Sequence, residues 1–316
     1  MARSILLDPR FHDEPAAFAY VEGQLWPNGP VCPHCGSKER LGRLEGVRSK
    51  PSKKHPEGVV QHGLWKCYAC RQKFTVRVGT IFEDSHLALH LWLQAIHLLC
   101  ASKKGISTRQ LQRMLGCGMK TAWHLGHRIR LAMDPDSDEP LGGHGKIVEA
   151  DETELARSRK TKRPADFRRK THNPIVMSLV ERGGNIRSET LDHRGVMSYV
   201  RRNVHPDSTL VTDQAQHYKL PPVADHQAVD HSKFEWVRGE AHTNTLEGFF
   251  SVLKRGLVGT YQHVDKRHLN RYLAEFDFRQ NNRAKLGIDD AERTSRAVRG
   301  MIGKRLMYKD SFVASI

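Results

Sequence analysis

The sequence predicts an α+β protein: a small cysteine-bearing module, then a helical segment, then a larger domain mixing strands and helices. Three observations carry this. Two Cys-x-x-Cys pairs stand at Cys32/Cys35 and Cys67/Cys70 among aromatic and β-branched residues. Residues 85–133 run through three stretches of helical periodicity. Beyond 134–146, an acidic stretch holding Gly and Pro, the pattern turns to short apolar runs of strand length. These changes set the expected boundaries: an N-terminal helix at 1–30, the cysteine module at 31–82, a helical segment at 83–133, a linker at 134–146, the larger domain at 147–285 and a basic tail at 286–316.

The elements follow in order. A short helix is expected within 12–30, with Asp13 as its cap, Pro15 in its first turn and Gly29-Pro30 beyond its end. Each Cys-x-x-Cys can close a tight turn, and four thiolates converging on one ion are the ligand set of a structural tetrahedral zinc. Pro33 and Gly36 at the first pair, and Trp65, Tyr68 and Phe74 at the second, suit a zinc ribbon. The 31 residues between the pairs contain what reads as an inserted basic loop, "RSKPSKKHPEG". Two unrelated pairs of buried thiols and a redox pair are the competing readings. Cys100 and Cys117 lie inside helical patterns and read as small core residues.

"GISTRQLQRMLGCGMKTAWHLGHRIR" has the form of a helix-turn-helix. Ser107 and Gln110 make a capping box, Leu111 and Leu115 turn inward, and Gly116 and Gly118 permit the turn. The next helix buries Ala122, Leu125 and Ile129 and directs Lys120, His124, His127 and Arg128 outward, where a major groove can receive them. An ordinary helical hairpin carries the same pattern.

In the larger domain "KIVEADETEL", "NPIVMSLVER", "IRSETL" and "TLVTDQ" read as strands, with "MSYVRRNV" a helix between the last two. A basic loop at 157–172, with eight Lys/Arg and one Asp, interrupts the first two strands; a solvated charge run and a phosphate-contacting arm both fit it. "HTNTLEGFFSVLKRG" at 242–256 reads as a helix with two faces. Leu246, Phe249, Phe250, Leu253 and Leu257 form an apolar stripe, while Asn244, Glu247, Ser251 and Lys254, spaced by three, four and three, share a polar face. Asp151 lies in the first strand, whose alternate positions include Glu149 and Thr153, and Asp213 follows the apolar run Leu210-Val211-Thr212. Carboxylates from two strands and a helix can converge to hold two divalent ions about 4 Å apart, the clamp for in-line phosphoryl displacement. Hard oxygen donors suit Mg²⁺ or Mn²⁺. Taken singly, either aspartate reads first as an ordinary turn or cap residue, and it is the strand order, spacing and basic surroundings together that favour the metal clamp.

Charge narrows the partners. Lys and Arg number 51 against 35 Asp and Glu, a formal +16. Such a surface calls for a polyanion, most simply nucleic acid; a ribosome-like RNA binder and a protein held at anionic lipid are the alternatives. No run approaches the roughly 18 apolar residues of a membrane span, and "MARSILLDPRFHDEP" lacks a signal-peptide core, so a cytoplasmic protein is expected. In that reducing compartment six cysteines point to metal or free thiols.

Five stretches, "LWPNGPVCPHCGS", "WKCYACRQKFTVRVGTIFEDS", "VEADET", "HTNTLEGFFSVLKRGLVGTYQHV" and "HLNRYLAEFDFRQNNR", carry a family resemblance. Spanning Leu25 to Arg283, they resemble the bacterial DDE insertion-sequence transposases with an N-terminal zinc ribbon, the IS-fifteen-ninety-five group related to the Merlin transposons. The resemblance implies an RNase H-like catalytic domain with Asp151, Asp213 and Glu247 as the metal-binding triad. Some relatives carry Asn as the third ligand, which keeps Asn244 as the alternative. Lys254 matches a basic residue on the same helix face that holds a DNA phosphate, and Arg255 beside it is the second expected DNA contact. The implied activity is metal-dependent cleavage at an element's terminal inverted repeats, then joining of the freed 3′-hydroxyls to target DNA, by a dimer or higher assembly. A non-enzymatic DNA-binding regulator derived from such an element, and a nuclease of the same fold that never joins strands, are the rival readings.

Overall fold

The first helix begins where its cap predicts. In α1 (Glu14–Leu25) the Asp13 carboxylate accepts the Ala16 amide at 2.9 Å, and the proline of the first turn leaves no amide unpaired there. The structure is a computed structural model and describes all residues except 1–3, 54, 136–138, 156–174, 193, 214–217, 219–222, 231–232, 234–236 and 308–316. The whole of the basic loop expected at 157–172 therefore lies outside the described residues. The chain divides into two units, Met1–Met133 with Gly287–Val313, and Asp134–Leu286 with Ala314–Ile316.

In the first unit, β1 (Leu41–Leu44), β2 (Leu64–Cys67) and β3 (Lys73–Phe74) form a three-stranded antiparallel sheet. Trp26, Trp65 and Phe74 meet edge-to-face beside it, with Trp26 5.9 Å from Phe74 and 6.4 Å from Trp65. Three helices follow: α2 (Leu89–Ala101), α3 (Thr108–Leu115) and α4 (Met119–Met133). Buried residues on several sides of α2, including Leu89, Trp92, Leu93, Ile96 and Leu99, make it the centre of the unit. Ser107 caps α3 by accepting the Gln110 amide at 3.2 Å. Gly116 then ends it at φ +62, a left-handed turn that a glycine takes without a Cβ penalty.

The second unit is built on a five-stranded sheet. Its strands are β4 (Ile147–Glu154), β5 (Ile175–Glu181), β6 (Ile186–Leu191), β7 (Thr209–Asp213) and β8 (Asp225–Val229), in the order β6-β5-β4-β7-β8. The first three pair antiparallel, whereas β7 runs parallel to β4 and β8 parallel to β7, the mixed sheet expected of an RNase H-like domain. Helix α5 (Val196–Asn203) lies on one face, packed with Val148, Ala150, Met177 and Leu179. On the other face α6 (Asn244–Gly256) and α7 (Leu269–Asn281) pack with Val176, Val180 and Ile186. Strand alternation thus sends even positions of β4 toward α5 and odd ones toward α6. Leu246, Phe249, Phe250 and Leu253 are all buried, as the apolar stripe predicts; each contributes roughly 1.5–3 kcal/mol by leaving water.

Helix α7 also closes the sheet edge. Asn270, Asp277 and Asn281 accept the outward amides of Thr190, Ser188 and Ile186 at 2.9, 2.7 and 2.7 Å, and Asn281 Nδ2 donates to the Ile186 carbonyl at 3.0 Å. Every second residue of β6 is bonded by a helical side chain where a further strand would otherwise pair.

The segment read as a basic tail contains a helix, α8 (Asp290–Arg299), that packs in the first unit. Asp289 caps it through the Glu292 amide at 2.7 Å. The buried Thr294 hydroxyl meets His97 Nδ1 at 2.9 Å, and Arg293 donates to the Cys100 carbonyl at 3.1 Å. Its five charged side chains conceal a short buried stripe of Thr294, Ala297 and Val298.

Candidate functional site

Two clusters of potential ligands stand out. In the first unit the β2 end and the two Cys-x-x-Cys turns bring Cys32, Cys35, Cys67 and Cys70 together, every sulfur within 4.8 Å of the others. Cys32 Sγ is 3.7 Å from Cys70 Sγ, and Cys35 Sγ is 3.7 Å from Cys67 Sγ. A tetrahedron with Zn–S bonds of about 2.3 Å has edges of roughly 3.8 Å, so these thiols fit a zinc ion with little movement. The Cys70 backbone amide, helped by that of Ala69, draws the Cys67 thiol down to about 7 against the effect of its burial. Against the Ser37 amide, burial and the neighbouring sulfurs push Cys35 up to about 12, so the set readily yields one thiolate and gives up its other protons on metal binding. The spacing rule alone had identified this cluster.

In the second unit the sheet brings two aspartates side by side. Glu149 of β4 pairs with Val211 of the parallel β7, so Asp151 and Asp213, each two residues further on, stand level on neighbouring strands and face the α6 side. Glu247 lies on the exposed face of α6 with Asn244, Ser251 and Lys254. Burial raises Asp151 to about 7, and the charges of Asp213, Glu152 and Glu247 push the same way against one bond from the Glu152 amide. The three acids are therefore in electrostatic contact from a strand, a neighbouring strand and a helix. Among the described residues the four cysteines are the one set of three or more such ligands closed to within 4.8 Å, and the acids face one another at longer range. A carboxyl raised first by burial and then by neighbouring acids, in a partly buried site with hard oxygen donors, fits a divalent cation of the Mg²⁺ type.

Alternation separates the adjacent acids. Glu152 points to the opposite face, where it accepts the hydroxyl of buried Tyr218 at 2.7 Å. Glu149, on the same face as Asp151, is fully buried. Arg182 Nε donates to it at 2.8 Å, as do the Thr245 amide at 3.0 Å, the Thr245 hydroxyl at 2.9 Å and the Leu246 amide at 3.3 Å. Arg182 in turn donates to the His242 carbonyl at 2.9 Å. Sequence reasoning noted Glu149 only as an alternate position; a carboxylate two residues before a candidate ligand was the available signal.

The helix-turn-helix face differs from expectation. Lys120 is exposed, but His127 and Arg128 are buried at 0% and 5% exposure and His124 is half-buried. The Arg128 guanidinium lies 5.6 Å from the Trp92 ring and donates to the Glu83 carbonyl, so it serves the core of its own unit. The helical wheel misjudged α4 because the helix packs on more than one side. Exposed cations nearby are instead Lys103, Lys104, Arg109 and Arg113. Lys254 and Arg255 are exposed, as expected for DNA contacts, and Arg255 also donates to the Ser251 carbonyl at 3.0 Å. Among the described residues no helix is long and apolar enough to cross a membrane.

Comparison with known proteins points the same way. Residues 140–281 match the ISXO2-like transposase domain, and residues 12–73 match the transposase zinc-ribbon domain. A Halobacterium salinarum protein described as an "Uncharacterized protein in transposable element ISH50" is 25% identical over 280 residues, covering 81% of this chain and 86% of its own length.

Proposed function

This chain belongs to the zinc-ribbon, ISXO2-like transposases of insertion sequences, and we propose that it cleaves the ends of its element and joins them to target DNA at the Asp151–Asp213–Glu247 site. The juxtaposition of these three carboxylates on one side of the sheet, sensed at Asp151, is the observation that supports the reading. Asp151, Asp213 and Glu247 would hold two Mg²⁺ or Mn²⁺ ions, which lower the pKa of the attacking water or 3′-hydroxyl and stabilise the leaving oxygen. Asn244, one helical turn before Glu247, is the alternative third ligand. Exposed Lys254 and Arg255, at the far end of the same helix, hold backbone phosphates and set the register of the strand over the acids. Lys120 and the exposed cations around α3 contribute duplex binding at the terminal inverted repeats. The four-cysteine site holds a structural Zn²⁺ that folds the ribbon. Because both element ends react, a dimer or larger assembly on DNA follows.

The test is strand cleavage and joining by the purified chain on DNA carrying its element's ends, with Mg²⁺ or with EDTA. Metal-dependent joining that Glu247→Gln abolishes and Asn244→Ala spares is the expected result. Cleavage without joining of pre-cut ends would move the chain to the nucleases, and end-specific binding without cleavage under any metal would move it to the regulators.

A further inference from the structure

Helix α6 has no cap of its own. Thr243, at its N-cap position, makes no side-chain capping bond, whereas Asp13, Ser107 and Asp289 cap their helices locally. The orphan amides of the α6 first turn, Thr245 and Leu246, are bonded instead by Glu149 of β4, 96 and 97 residues away in sequence. The carboxylate also suits the positive end of the helix dipole. With Arg182 Nε and the Thr245 hydroxyl as further donors, this fully buried acid is held in place by four bonds. An uncompensated carboxylate there would be costly, so the position is specified by its partners.

The geometry points to Glu149 as a positioning residue: it ties the strand that carries Asp151 to the helix turn that carries Glu247, and so fixes the third acid relative to the first. Glu149 is two residues from Asp151 along β4, and its bonded amides are one and two residues from Glu247 along α6. The inference rests on the proposed metal-binding role of these acids and names what holds their spacing. The motif "VEADET" then divides its labour: Asp151 serves the site, Glu152 ties down Tyr218 on the far face, and Glu149 caps α6 on the near face.

A double-mutant cycle tests it, with Mn²⁺ alone as the probe. Binding to the zinc-loaded full chain is read by electron paramagnetic resonance for wild type, Glu149→Gln, Glu247→Gln and the double variant. Glu149→Gln keeps the size and one amide-accepting oxygen but loses the charge. Expected is a weakening of roughly 10- to 100-fold for each single variant, with the double variant no weaker than the worse single, because Glu149 acts through Glu247. Faster amide exchange confined to Thr245 and Leu246 should accompany it. Weakenings that multiply, or Mn²⁺ binding by Glu149→Gln equal to wild type, would overturn the positioning role. Should Glu149→Gln fail to fold, Thr245→Val, which removes only the hydroxyl bond, runs the same cycle; a few-fold weakening that does not add to Glu247→Gln is expected, and additivity or no effect overturns the role. If wild-type Mn²⁺ binding is indifferent to Glu247→Gln, the triad itself is wrong, a failure distinct from additivity between two variants that both matter.

Discussion

The cysteine cluster and the acid cluster are built from opposite materials, and they are held differently. Four sulfurs sit with paired atoms 3.7 Å apart, which costs little because a remaining S–H can bond a neighbouring thiolate: Cys67 is lowered to about 7 while Cys35 is raised to about 12. Three carboxylates share one side of a sheet, yet they stop short of that closeness, and half-buried Asp151 is pushed up to about 7. Like charges in a partly buried site oppose one another. Short turns suffice to gather ligands that share protons, whereas mutually repelling ones need a scaffold: the parallel register of β4 and β7, and the cap that Glu149 places on α6.

The contrast can be sharpened by removing one ligand from each cluster. Cys67→Ser should have the largest effect: zinc content falls to none and the cooperative unfolding of the ribbon disappears, since a structural zinc site folds with its ion. Metal analysis and thermal melting check this, and retained zinc with an unchanged melt would break the comparison. Asp151→Asn should do the reverse to stability while abolishing cleavage. A carboxyl raised in the folded state binds more protons than in the unfolded chain, so wild type loses stability as pH rises from about 4 through about 7. The Asn variant escapes that loss and should be more stable by on the order of 4 kcal/mol above pH 7 in EDTA, with the difference gone below pH 4. Denaturant titration at pH 4 and pH 8 measures both ends. The smallest effect concerns the helical segment. Lys120→Ala should lower the salt slope of DNA binding by about one ion without changing stability, whereas Arg128→Ala, which empties a buried site over Trp92, should lower the melting temperature. Equal salt slopes for Lys120→Ala and wild type would remove Lys120 from the DNA surface.

How far the sequence could be read follows from the range of the forces involved. Local signals were legible: the Asp13 and Ser107 caps, the Cys-x-x-Cys turns, the alternating strands around Asp151 and the two-faced helix bearing Glu247 all depend on neighbours a few residues away. Strand β8, "DHQAV", was missed because its first three residues are polar and hide its pairing with β7. Helix α8 looked like a tail because its charges outnumber its three-residue stripe. His127 and Arg128 were misassigned because a helical wheel assumes one buried side, while α4 buries residues around more of its circumference. The cap on α6 was beyond any local pattern, since its acceptor lies nearly a hundred residues upstream.

The three side chains that α7 lends to β6 bear on chains that stop early. A product ending before Asn270 would still contain all five strands and all three acids, but the amides of Ile186, Ser188 and Thr190 would lose the acceptors described above. A row of open donors along a strand is a template for another strand. Truncated copies of this chain are therefore expected to be sticky as well as inactive, pairing along that row with one another or with nascent full-length chains whose own α7 has not yet been made.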